Sequence, residues 1–467
     1  MIIYSHSITP RLEYIAGFIG KETFGEKIQL TTDLELFLGF DGPRINYSNT
    51  RVSGHEFWLK PHTLLFERGI QQQVLECFEW KGDRVFLKTT GDFPLDIFAA
   101  GFYLLSRYEE YLPHKKDMYG RYAHENSLAF RENFLHLPLI NLWLENFKEA
   151  LKQKFPGTGF AKKDFRVLPT YDIDEAFCYR HKAGWRTWGG YARSVITGRW
   201  REVKERRNVL NESEEDPYDS FEWIRNLHER YQYPDAHFFF LVAAKTGRYD
   251  KNISPFNKIL QNRIRSLFKQ ESPPVRKDSN LYFKAGLHPS WQSGDKPKLI
   301  RKEMDLLQSE IGVEPEGSRQ HFIRFTLPET FRQLLNAGIR SDYSMGYGSI
   351  NGFRASVASS FYWYDLEKEE QTDLELHPFC FMDANSYYEQ KNSAHQALEE
   401  MLKFFNIIKS VNGTMITIWH NTFLGTQQRF VGWKEVYEEF IRRIYYQVSF
   451  VNAEAAKEGM DRKYFLH

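Results

Sequence analysis

The sequence predicts an α/β protein in which a smaller mixed α/β region, residues 1–160, precedes a series of βα units over about 165–450. Three observations carry this expectation. Beyond residue 165, short apolar runs alternate with stretches of helical periodicity, the pattern of a parallel sheet or barrel with helices on its faces. The 467 residues exceed the usual size of one compact core, so two domains are expected. Between the two regions, Lys154-Phe-Pro-Gly-Thr-Gly has the composition of a linker.

Residues 1–160 open on a short strand, Met1-Ile-Ile-Tyr, and pass into a charged helix. Phe78-Glu-Trp-Lys-Gly-Asp-Arg-Val-Phe-Leu sets two strand-forming runs around Lys81-Gly82-Asp83 and predicts a hairpin. Residues 96–111 have the spacing of an amphipathic helix, stopped by Pro113. Past the linker, Arg166-Val-Leu-Pro-Thr-Tyr is a predicted strand, 221–231 a helix, His237-Phe-Phe-Phe-Leu-Val a buried strand and 281–287 a further strand. Ile300, Met304, Leu307 and Ile311 recur at helical spacing. Thr326 with Glu329 reads as a capping box for a helix ending at Gly338, and Ser393 with Gln396 opens a second helix ending near Gly413. Met415-Ile-Thr-Ile-Trp is the strand that follows.

Composition narrows the functional classes. Hydrophobic residues make up 42% and aromatics 16%, enough to bury real cores. With 62 Lys plus Arg against 61 Asp plus Glu, the overall charge offers no attraction for nucleic acid. The basic, aromatic stretch 185–207 is followed at once by Glu212, Glu214, Glu215 and Asp216, so it reads as a solvated helical insertion with internal ion pairs. Cys77, Cys178 and Cys380 are isolated from one another, which argues against a disulfide framework or a cysteine-rich zinc site. No basic-then-apolar leader opens the chain, and its most apolar window, 93–108, is interrupted by Asp96 and too short to span a bilayer. A cytoplasmic protein without a membrane span is therefore expected.

In parallel α/β architectures, functional groups collect at the C-terminal ends of strands. The strand at 166–171 runs into Asp172-Ile-Asp174, a second ends in Gly286-Leu-His288-Pro-Ser, and the last ends in Trp419-His420-Asn421. Ser318-Arg319-Gln-His321 adds a fixed cation and a further imidazole. Each piece alone has an ordinary structural role: an Asp-x-Asp caps turns, a histidine after a strand is commonly satisfied in a core, and Arg319 could pair with a carboxylate of the sheet. Their joint occurrence at successive strand ends points to a site. Oxygen and nitrogen donors of this kind suit zinc or a similar divalent cation, and an adjacent free carboxylate can deprotonate water.

The same residues resemble an ordered motif set. Pro169-Thr-Tyr-Asp-Ile-Asp, Gly286-Leu-His-Pro-Ser, Ser318-Arg-Gln-His and Ile416-Thr-Ile-Trp-His-Asn are similar to the motifs of the polysaccharide deacetylase family, carbohydrate esterase family 4 with the NodB homology domain, and in particular to a divergent bacterial branch with an added N-terminal domain. The resemblance implies a distorted (β/α) barrel that removes N-acetyl or O-acetyl groups from a carbohydrate with a divalent metal, zinc being the expected ion. It implies Asp172 as general base, Asp174 and His288 as metal ligands, Arg319 as the residue that orients the base and His420 as general acid. The family's second ligand histidine, four residues after the first, is Gln292 here. His321 is the expected substitute, with Gln292 itself or water as alternatives.

For substrate, Trp291 and Trp419 have aromatic faces suited to sugar C–H surfaces. Asn421, and Arg354 in the loop Gly352-Phe-Arg-Ala, are the polar candidates, although that loop is as well suited to packing. His377 and Asp383 stand near another strand end and could touch substrate or serve the core. Two other functions remain open on the sequence. A metal-dependent glycosyltransferase would use Asp172-x-Asp174 but gives His288, Arg319 and His420 no role. A catalytically inactive carbohydrate-binding relative is suggested by Gln292.

Overall fold

The computed structural model describes residues 1–233, 235–243, 245, 247–268 and 281–444, so the end of the 165–450 stretch lies outside the described residues. The chain forms two compact units that interleave along the sequence. The first comprises Met1–Val167, Phe322–Phe381 and Phe404–Ile416, and the second Leu168–His321, Met382–Lys403 and the chain from Thr417 onward.

The first unit begins with four parallel strands, β1 (Ile2–Tyr4), β2 (Gln29–Thr31), β3 (Arg44–Tyr47) and β4 (Phe57–Leu59), in the order β2-β1-β3-β4. Helix α1 (Pro10–Phe24) makes the crossover that a parallel β1–β2 pair requires. Thr9 accepts from the Leu12 N–H at its start, and Gly25, at φ +79°, closes it. The predicted hairpin forms, with Phe78–Trp80 antiparallel to Asp83–Val85. Helix α2 (Ile97–Leu105) starts on the Asp96 cap, but every residue in it is buried. The amphipathic helix expected over 96–111 is thus a shorter helix, apolar all round, followed by Arg107 in a left-handed conformation. Helix α3 (Leu139–Lys154) packs against α1.

Two expectations are corrected in this unit. The capping box at Thr326 and Glu329 does not form, because Pro328 occupies the N-cap of the helix Glu329–Asn336 and the Thr326 N–H donates to Thr330 Oγ1 instead. Arg354 is buried with each of its three guanidinium nitrogens bonded inside the unit. Its Nε and Nη2 hold both Glu110 oxygens at 2.8 and 2.5 Å, and Nη1 donates to the Gly346 carbonyl. It is a structural cation rather than a substrate contact. His377 also belongs to this unit, bonded to the Ser341 and Ser360 hydroxyls and stacked on Tyr343.

The second unit is organised by β5 (Arg166–Ile173), β6 (Asp235–Leu241) and β7 (Tyr282–His288), joined by β8 (Phe381–Met382) and β9 (Thr414–His420) in the order β8-β9-β5-β6-β7; β5, β8 and β9 belong to this unit from Leu168, Met382 and Thr417 onward. The β5–β6 and β6–β7 pairs are parallel, with Asp172 opposite Phe239 and Leu241 opposite His288. A parallel bridge from Leu287 to Ser318 continues the layer by one short segment. Among the described residues no sheet closes on itself. Helices α4 (Gly184–Ile196), α5 (Trp200–Leu210) and α6 (Phe221–Arg230) lie between β5 and β6, and α7 (Lys258–Phe268) lies between β6 and β7. Helix α8 (Lys298–Asp305) buries Ile300 and Met304. It is followed by a wider i→i+5 stretch, Leu306–Ile311, that buries Leu307 and Ile311. Ser393 and Gln396 form the expected capping box before α9 (Ala394–Ser410), each backbone N–H donating to the other's side chain.

Strand alternation then sorts the side chains. Along β5, Tyr171 and Ile173 point one way, where the Tyr171 hydroxyl meets His228 and Tyr437. Thr170 and Asp172 point the other way, toward Arg319. Along β9 the same alternation sets Trp419 against Tyr437 and Trp433 and turns His420 toward Asp174.

Candidate functional site

The site is built from the strand ends of the second unit. Asp172 is buried, and Arg319 Nη1 donates both to its Oδ1 and to Thr170 Oγ1, each at 2.7 Å. Gly286 helps to place that guanidinium. A Cβ at position 286 would fall 2.4 Å from the Phe239 ring, so glycine lets the ring lie across β7, and the guanidinium stacks 4.3 Å from the ring centroid. The Arg319 backbone is equally committed, its N–H donating to Leu287 O at 2.9 Å.

Asp174 faces two imidazoles whose protons are engaged elsewhere. His288 Nδ1 lies 2.5 Å from the Arg319 carbonyl, which only accepts, so Nδ1 carries the proton and Nε2 presents a lone pair. That Nε2 is 3.1 Å from Asp174 Oδ1, yet this buried oxygen has no hydrogen-bond partner. His321 repeats the arrangement: Nδ1 is 3.1 Å from Asp250 Oδ1, and Nε2 is 3.4 Å from Asp174 Oδ2. Two lone pairs and a carboxylate brought within 4.8 Å of one another require extra protons or a cation between them. Burial alone would lower the His321 pKa, but the Asp174 and Asp250 carboxylates overcome it and push it up to about 9. Burial would raise the Asp174 pKa, but the charges of His321 and then His420 hold it well below the usual carboxylate range. The donor set of one oxygen and two nitrogens, with an orphaned carboxylate oxygen among them, fits a divalent metal.

His420 stands on the other side of Asp174, its Nε2 3.6 Å from Oδ2. Asp383 grips it twice: Oδ1 lies 2.6 Å from His420 Nδ1, and Oδ2 accepts the His420 backbone N–H at 2.7 Å. Burial opposes a charged imidazole here, but Asp383, then Asp174 and Asp172, raise the His420 pKa to about 10. The imidazole therefore holds a proton, with Nε2 directed into the site.

The structure brings Asp172, Asp174, His288, Arg319, His321 and His420 to one place. Gln292 is turned to Asp250 Oδ2, at 3.4 Å, rather than standing with Asp174, His288 and His321. Trp291 is half-buried and stacked on Tyr249, with ring centroids 4.2 Å apart. Trp419 and Asn421 do not present themselves to substrate. Trp419 is fully buried against Tyr437, since alternation along β9 sends it to the face opposite His420. Asn421 is also fully buried and uses its amide to clamp the Glu175 and Tyr218 carbonyls.

Two carboxylates join the site without having been singled out in the sequence. Glu303 accepts the Ser290 N–H and braces the turn after His288, and burial pushes its pKa up to about 7. Asp250 bonds His321 Nδ1 and the Trp291 N–H. A carboxylate behind a ligating histidine fixes its tautomer and ring orientation. Asp250→Asn is accordingly expected to weaken metal affinity about 10–100-fold, the usual effect of removing such a partner. Competition against a chelator measures this, and unchanged affinity would assign Asp250 to bracing Trp291 alone.

Residues 1–156 match a family of unknown function designated DUF7033. No curated protein matches the chain. Among solved structures, a protein assigned as a polysaccharide deacetylase from Mycobacterium smegmatis is 13% identical with a TM-score of 0.37, the match covering 62% of this chain and 86% of that one. IcaB from Ammonifex degensii is 12% identical with a TM-score of 0.21, covering 40% of this chain and 85% of its own. Among the described residues no helix is long and apolar enough to cross a membrane.

Proposed function

We propose that the chain is a metal-dependent hydrolase that removes N-acetyl or O-acetyl groups from a carbohydrate, with residues 165–450 forming a polysaccharide deacetylase-like catalytic region of the distorted (β/α) barrel type. One observation carries the reading: a carboxylate, Asp174, faces the Nε2 atoms of two imidazoles, with an arginine-held carboxylate on one side and an aspartate-held imidazole on the other. Asp174, His288 and His321 would hold the divalent cation, and zinc suits such a set. When bound, the metal polarises the acetyl carbonyl and acidifies water. Asp172 has one oxygen fixed by Arg319, leaving the other to take a proton from the attacking water. His420 keeps a proton on Nε2 for the departing amine or alcohol, while Asp383 holds its orientation. The Trp291 ring, braced by Tyr249, offers a face for the sugar. The order of the four motifs along the chain supports the same roles. A glycosyltransferase reading leaves Arg319 and His420 idle.

The test is direct. Full-length protein purified without added metal is expected to carry about one divalent ion per chain, as a three-ligand catalytic site would. It is expected to release acetate from an acetylated oligosaccharide, to stop on chelation and to resume with zinc. Protein that binds no divalent ion, or that consumes a nucleotide-sugar without releasing acetate, would overturn the proposal.

A further inference from the structure

Helix α4 turns its apolar side outward. Arg186, Thr187, Gly190, Tyr191 and Ser194 are its less exposed positions, whereas Trp185, Trp188, Ala192, Val195 and Ile196 are exposed. At helical periodicity those five form a stripe about 100° wide, the width that a helix on a protein surface normally buries against its core. Here the stripe faces away from the unit. Trp185 is 75% exposed, Trp188 74% and Ile196 84%, and Trp200 at the start of α5 is 65% exposed. The inward side is polar and close-fitting. A Cβ at Gly190 would fall 2.5 Å from the Arg206 guanidinium, which lies against the Tyr179 and Tyr191 rings, and Ser194 Oγ donates to Glu202. The stretch is helical and internally paired, as the sequence suggests, yet the face it gives to solvent is not the polar one.

We propose that α4 and the start of α5 form a docking surface for an anionic phospholipid bilayer, with the apolar stripe at the boundary between headgroups and acyl chains. Charge selects this partner. Residues 184–210 hold seven cations against two carboxylates. Arg193, Arg199, Arg201, Lys204 and Arg207 are exposed, while Glu202 is bonded by Ser194 and paired with Arg199, and Glu205 is bonded by the Tyr179 hydroxyl. Tryptophan and aliphatic residues on one face, flanked by arginine and lysine, are what an interfacial helix requires. The core of a protein interface is depleted of charge, and the exposed aliphatic tip of Val195 and Ile196 has nothing to stack on in a nucleic acid. The proposal stands apart from the deacetylase reading, since none of these residues belongs to the metal site.

Co-sedimentation of the full-length protein with vesicles tests it. Binding is expected to vesicles of phosphatidylcholine mixed with phosphatidylglycerol, to be weaker with phosphatidylcholine alone and to fall as salt is raised. The variant Trp185→Ser/Trp188→Ser/Ile196→Ser is expected to abolish binding while keeping the wild-type melting temperature, because these side chains are largely exposed. The variant Arg199→Gln/Arg201→Gln/Lys204→Gln is expected to lower partitioning into the mixed vesicles about 10–100-fold, as loss of three near-surface cations should. Absence of wild-type binding to the mixed vesicles, or full binding by the serine variant, overturns the proposal. So does a concentration-dependent dimer that the serine variant loses, or binding to a single-stranded oligonucleotide in place of vesicles.

Discussion

Asp172→Asn is expected to retain its metal and slow deacetylation by about 10²–10⁴-fold, the usual contribution of a general base. Asp174→Asn is expected to lose the metal itself. The two residues are neighbours on one face of a strand end, but their surroundings divide their work. Asp172 is tied to Arg319 at 2.7 Å, whereas Asp174 keeps a buried oxygen without a hydrogen bond beside His288 Nε2. An asparagine at 174 offers a neutral and weaker donor to the cation. An asparagine at 172 keeps the shape of the side chain but cannot accept the proton. It also leaves Arg319 beside an amide, so a melting temperature should accompany each rate. Metal content and acetate release of both variants decide the matter, and full activity in Asp172→Asn would remove it as the base whatever the metal data showed.

The largest expected effect on stability lies in the first unit. Arg354→Ala is expected to destabilise the protein by about 3–5 kcal/mol, the range for removing one member of a buried ion pair. Both Glu110 oxygens bond Arg354, and Arg107 Nε also reaches Oε1 at 2.7 Å, so the carboxylate would keep one cation and lose its bidentate partner. Burial alone would raise the Glu110 pKa, but Arg354 and Arg107 bring it down from its ordinary value of 4.5 to about 2. The folded state thus binds this proton less readily than the unfolded chain does. The stabilisation is complete above the unfolded value and is lost as the pH falls from about 4.5 to about 2, with a total on the order of 3 kcal/mol. Denaturant unfolding at neutral pH and near pH 3 should find Glu110→Gln less stable than wild type at neutrality but less sensitive to acid. Equal acid sensitivity in the two proteins would contradict the assignment.

What was legible in the sequence was the set of strand ends. Apolar runs followed at once by Asp172, His288 or His420 combine a local signal, the strand, with a topological one, the edge where parallel strands finish. Side-chain direction was harder to read. Trp419 and His420 are adjacent, and which of them faces the site follows from distant partners, Tyr437 and Trp433 for the tryptophan and Asp383 for the histidine. Asp250 lies in a loop with no periodicity, and its importance depends on an imidazole 71 residues away. Arg354 looked like a substrate ligand because its partner, Glu110, is 244 residues distant. Local patterns likewise carry no sign that Phe322–Phe381 clusters with Met1–Val167.

Arg319 serves the two halves of the site by different parts of itself. Its carbonyl fixes the tautomer of His288, and its guanidinium holds Asp172. Every amino acid supplies the carbonyl, so drift at position 319 leaves that contact in place. Only arginine supplies the planar fork that can grip a carboxylate while lying flat on Phe239. A descendant that lost this one side chain would keep the machinery for capturing a metal and forfeit the turnover. On the proposed function, one substitution at position 319 would be enough to leave a metal-binding protein without catalysis.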